Sequence, residues 1–132
     1  MEKRYTAKVP ESLAKRLYEA GMPLNVTTEM EPDPYTGKVK KIVNIEPPSY
    51  AKTLDWLASK NLIVHVYSYP CWHRGANEYC TTEFDVTIHD EVAHEVTSID
   101  PMGPSYRNWY GAAFDGIEKA LEMLANNEAK ED

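Results

Sequence analysis

Apolar and polar residues alternate along this chain with two different periods, and the changes of period divide it into elements. In PESLAKRLYEAGMP, Leu13, Leu17 and either Ala14 or Ala20 recur at helical spacing. Pro10 suits a first helical position and Gly21 a stop just past the last turn, with Pro23 beyond. The spacing predicts a helix over 10–20. Leu24, Val26, Thr28 and Met30 then alternate with Asn25, Thr27 and Glu29, and Val39, Lys41, Val43 and Ile45 alternate with Lys40, Ile42 and Asn44. PDPYTG between them is a turn signal, so the pair reads as a β-hairpin. Its faces are not cleanly apolar and polar, which predicts partial cover on both. Pro47-Pro48 ends the second strand, because neither proline can donate to a ladder.

SYAKTLDWLASKN predicts a second helix, with Ser49 as N-cap and Asn61 as stop. Tyr50, Ala51, Leu54, Leu57 and Ala58 share one face; Trp56 lies opposite, beside Lys52, Ser59 and Lys60. An indole on a polar face is either covered by the N-terminal elements or is a partner surface. LIVHVYSYP reads as a strand with Leu62, Val64 and Val66 on one face. CTTEFDVTIHD reads as another, with Phe84, Val86 and Ile88 inward and Asp85, Thr87 and His89 outward. Gly75-Ala76-Asn77 marks the turn between them, EVAHEVTSI a third, weaker strand, and DPMGPS a loop. A closing helix is predicted from Trp109 to Asn126, capped by Asn108, with an apolar stripe of Tyr110, Ala113, Phe114, Ile117, Leu121 and Leu124. Gly111 and Gly116 interrupt it, each costing about 1 kcal/mol of helix propensity against alanine, and would permit close approach to a sheet.

The order α-β-β-α-β-β-β-α predicts an α+β fold: an antiparallel β-sheet with helices packed on one face. At 132 residues the chain is the size of one domain, either undivided or split into two small halves, 1–47 (αββ) and 48–127 (αβββα), with Pro47-Pro48 as the seam. No apolar run approaches a membrane span and no apolar stretch follows the charged start, so a cytoplasmic protein with no membrane partner is expected. The net charge is −7, and residues 48–127 hold five Lys and Arg against eleven Asp and Glu. Acidity of this kind opposes binding to phosphate backbones, so no nucleic acid partner is expected.

The stretch YPCWHRGANEYC, from Tyr69 to Cys80, concentrates the reactive side chains. Cys71-x-His73 on a strand puts two ligand types on one face, and Cys80 would add a third for a metal. The fourth ligand would come from His65, His89 or His94. The two cysteines are otherwise thiols, or a bridge across the hairpin. HDEVAH does not match the zinc-protease helix motif, because its histidines are five apart. No glycine-rich phosphate loop, nucleophile elbow or cofactor motif is present, so no cofactor is expected and an enzyme is the lesser expectation. Trp72, His73, Arg74, Tyr79, Trp109 and Trp56 are candidates for contact with a partner, and Tyr106 and Arg107 lie nearby, since Trp, Tyr and Arg dominate interface hot spots.

Two resemblances add context. The αβββα order from Ser49 to Asn126 is similar to that of double-stranded RNA-binding domains. That family meets phosphate with lysines at the start of its last helix, where PSYRNWYGAAFDG offers one arginine, so the resemblance allows the architecture and not the function. PPSYAKTLDWLASK, WYGAAFDGIEKALEML and KRLYEAGMP together resemble recurrent helices of small uncharacterised proteins of Bacteroidota genomes, prophages and mobile elements. That family has no established activity to transfer. The expectation is an accessory protein of a phage or mobile element that binds another protein or its own copy. The alternative is a small metal-binding or cysteine-dependent module on Cys71, His73 and Cys80.

Overall fold

The computed structural model describes residues 6–75, 77–99, 106 and 108–131, the last three by backbone alone. Arg107, the 100–105 loop and Ala76 of the expected turn lie outside the described residues. Among those described, the elements run α1 (Glu11–Glu19), β1 (Val26–Pro32), β2 (Val39–Ile45), α2 (Tyr50–Ser59), β3 (Leu62–His73), β4 (Tyr79–Asp90), β5 (Glu95–Ser98) and α3 (Trp109–Glu131). This is the α+β order the periodicity predicts. The strands form two antiparallel sheets: β1-β2, and β3-β4-β5 with β4 central.

The helix ends follow from named residues. Pro10 is the N-cap of α1, one position earlier than expected, with extended backbone. At the other end Gly21 takes φ +104°, its N–H donates to Tyr18 O, and the Met22 N–H reaches back to Leu17 O. Met22 and Leu17 are both buried, and the two bonds complete a left-handed stop. Ser49 Oγ accepts from Lys52 N–H at the start of α2, and Asn61 ends it at φ 66°. Fully buried Thr53 satisfies its hydroxyl on Ser49 O at 2.9 Å. Asn108 Oδ1 accepts from Gly111 N–H at 2.7 Å, opening α3.

One face of the larger sheet, formed by Leu62, Val64, Val66, Phe84, Val86 and Ile88, packs against α2 and α3. Facing it on α3 are Trp109, Ala112, Ala113, Gly116, Ile117, Ala120, Leu121 and Leu124. The predicted stripe is thus rotated: Tyr110 is exposed and Phe114 half-buried, while the small residues Ala112, Gly116 and Ala120 face inward. They let the helix sit low on the strands. The helix also runs past the predicted end at 126, and Asn127 Nδ2 donates to Asp90 Oδ2 at 3.2 Å. Buried Asp90 also accepts from the N–H groups of Val92 and Ala93, which closes the Glu91–His94 turn. The predicted third strand therefore starts only at Glu95.

Leu13, Ala14 and Leu17 of α1 belong to the same set of buried residues as the sheet and α3. Arg16 pairs with Glu118, and Val9 N–H and Tyr50 N–H donate to Pro48 O and Ala7 O across the expected seam. The β1–β2 ribbon is different. It has the partial cover its mixed faces predict: Val26 and Ile45 are half-buried on one face and Ile42 on the other, while Met30, Val39 and Val43 are exposed.

Tyr106 bridges to Phe84 on the β4 edge, and its hydroxyl donates to Asp115 Oδ2 at 2.6 Å. Burial first, then that bond and the charges of Asp115 and Asp85, push the phenol well above its ordinary value of 10.0. A group raised on folding adds stability below its unfolded value, and the contribution is lost as pH rises through the folded value. Stability should therefore fall above about pH 10. Thermal melts followed by circular dichroism should show a shallower alkaline decline in Tyr106→Phe than in the wild type. An unchanged slope would exclude this hydroxyl as a source.

Candidate functional site

The site is built on the β3–β4 hairpin, whose ladder runs from Leu62↔Asp90 to His73↔Tyr79. The expected loop is mostly strand: β3 continues through Pro70 to His73, and β4 begins at Tyr79. Pro70 is tolerated because β3 is an edge strand. Side chains directly opposite share a face, so the register assigns each candidate to a side.

Trp72 is opposite Cys80, on the side continuous with the helix-covered face. Cys71 opposite Thr81, His73 opposite Tyr79 and Tyr69 opposite Glu83 lie on the other side. The expected metal set of Cys71, His73 and Cys80 is therefore corrected: Cys80 points away from the other two. Both cysteines are thiols, with no disulfide between them. Glu83 takes the third place. One ligand atom each from Cys71, His73 and Glu83 lies within 4.8 Å of the others. Glu83 is only 3% exposed, on a face where most side chains are exposed or half-buried. Among the described residues no Lys or Arg forms an ion pair with it. His73 Nε2 is 2.8 Å from Thr81 Oγ1, and the ring stacks on Tyr79 with centroids 4.6 Å apart and planes 13° from parallel. Hydroxyl and phenol together fix the imidazole.

His65, His89 and His94 do not reach this cluster. They line a groove with Ile63, Glu91 and Val96 at the opposite end of the sheet. His65 sits six residues along β3 from Cys71, about 20 Å away. His94 is in the turn at φ 57°, which removes the question of helical spacing from His89.

The aromatic candidates separate by exposure. Trp109 is 6% exposed, edge-on to Tyr50 and Tyr110. It is a core residue, and its expected place on a contact surface is corrected on that ground. Trp56 is half-buried against the core, with Lys60 Nζ 5.8 Å from its ring, so the indole is not bare. Trp72 is 68% exposed and Tyr79 55% exposed. Trp72, His73, Arg74 and Glu78 line a shallow depression at the hairpin tip.

No family model, curated protein or solved structure matches this chain. No helix among the described residues is long and apolar enough to cross a membrane.

Proposed function

We propose that this protein is a binding module, an accessory protein of a phage or mobile element, that recognises another protein through the tip of the β3–β4 hairpin. The exposure of Trp72 carries the proposal. Of the three tryptophans, Trp109 is buried and Trp56 packs on the core, while Trp72 stands in solvent on a paired strand. Exposing so large an apolar surface gains nothing for the monomer, and a ladder-held indole loses little freedom on binding. Arg74, which lines the same depression, is another residue type that anchors interfaces.

Affinity capture from the native host, followed by binding measurements on the purified pair, tests this. Trp72→Ala should keep the fold, with stability within about 0.5 kcal/mol, since the side chain packs on little. It should weaken the complex about thirtyfold, corresponding to a hot spot of about 2 kcal/mol. Self-association abolished by the same change would make the partner a second copy. Equal binding by both proteins would reject the proposal.

A further inference from the structure

We propose that Cys71, His73 and Glu83 form a three-ligand site for a divalent transition metal, with zinc the best match. This goes beyond the contact role of the tip and stands on separate residues. The donors are a thiol, an imidazole and a carboxylate, a set that suits zinc far better than magnesium or calcium. Tetrahedral zinc with bonds of about 2.0–2.3 Å holds its ligand atoms about 3.3–3.7 Å apart. Mutual distances within 4.8 Å need only small side-chain rotations to reach that geometry.

Three further features point the same way. Glu83 places a carboxylate in a nearly dry position beside Cys71 and His73, and buried carboxylates occur where they are hydrogen-bonded, paired or bound to metal. Thr81 and Tyr79 hold the His73 ring in place, the kind of support metal-binding imidazoles receive from their neighbours. Cys71 and His73 come from β3 and Glu83 from β4, so a bound ion would tie the two strands together just below the exposed tip. Three protein ligands leave the fourth position to water or to a group from outside. On coordination the Cys71 thiol gives up its proton to solvent, so binding weakens as pH falls.

The test uses the full chain, loaded with zinc and dialysed against metal-free buffer, with the metal measured by mass spectrometry. Cobalt loading reports the thiolate by its charge-transfer absorption. One equivalent per chain is expected, with the cobalt band present. Both should be lost in Cys71→Ser, severely reduced in Glu83→Gln, and kept in Cys80→Ser. Thr81→Val should weaken binding about tenfold or more, without removing a ligand. In the unmodified chain, zinc should shield Cys71 but not Cys80 from alkylation, which keeps the test valid if a variant fails to fold. No retained metal in the wild type, or equal damage from Cys80→Ser and Cys71→Ser, would overturn the proposal.

Discussion

A Gly116→Ala variant should lose about 3 kcal/mol of stability, near the top of the range for overpacking, although alanine is the better helix former by about 1 kcal/mol. A Cβ at this position would lie 2.6 Å from Val86 Cγ2 and 2.8 Å from Val64 Cγ1. Ordinary carbon contacts are about 3.5–4.0 Å. The two valines cannot yield cheaply: both are buried, both sit on paired strands, and β-branching leaves them few alternative rotamers. The helix would have to lift off the sheet, and Ala112 and Ala120, one turn either side, would lose their contacts with it. Gly111 is the control. A Cβ there meets Asn108 Oδ1 at 3.5 Å and the Tyr106 ring at 3.6 Å, which is ordinary contact. Gly111→Ala should therefore be neutral, or stabilising by up to about 1 kcal/mol. Urea unfolding of the two variants measures the contrast, and equal stabilities would refute the close approach.

Gly116 also shows why the fold was legible in outline and less so in detail. Element order could be read because each boundary has its own local chemistry: Gly21, Ser49, Asn61 and Asn108 act within a few residues of themselves. The inward face of α3 could not, because the contact is made by Ala112, Gly116 and Ala120, which carry almost no hydropathy signal. What they supply is absence of bulk, and its value depends on Val64 and Val86 across the interface. The far end of α3 is hidden in the sequence for a similar reason. The expected end at Asn126 rests on the polar run that follows, yet Asn127 is bonded to Asp90, thirty-seven residues away. The β1–β2 ribbon is the converse case: its mixed faces already mark it as a hairpin with partial cover, and most of its side chains meet solvent.

At the candidate site, half of the answer lay in spacing and half in register. Cys71 and His73 are two apart, which places them on one face of any strand. Choosing the third member requires knowing which residues of β4 face them. The observed partners have residue numbers that sum to 152, the same centre that the expected turn at Gly75-Ala76-Asn77 predicts. That centre alone puts Cys80 opposite Trp72 and Thr81 opposite Cys71, so parity excludes Cys80 and admits Glu83. The information was therefore present once the turn was located. The burial of Glu83 was not, since a lone glutamate in a strand reads as a solvent-facing residue. Likewise Trp72 and Trp109 look equivalent in sequence, and tertiary packing alone distinguishes an exposed indole from a core one.

Leu17→Ala should lower stability by about 2–5 kcal/mol and do so in a single transition that every probe shares. Leu17 is fully buried and lies in α1, within the first 47 residues, yet the buried set it belongs to includes Leu57, Ile88 and Ile117. Removing its isopropyl group opens a cavity walled by fixed backbone elements, since the Met22 N–H bond to Leu17 O pins the end of the helix. For a domain of this size, with total stability of about 5–15 kcal/mol, the loss is a large fraction. The shape of the transition matters more than its midpoint. If the halves on either side of Pro47-Pro48 each held a core of their own, the variant would unfold its N-terminal part early and leave the rest unchanged. A shared core predicts instead that hydrogen exchange in α3 and β4 accelerates together with that in α1. Tryptophan fluorescence supplies a second probe, because Trp56 and Trp109 both lie outside the first half. Two separated transitions, or α3 amides that keep wild-type protection, would show that α1 adds its apolar face to a core that folds without it.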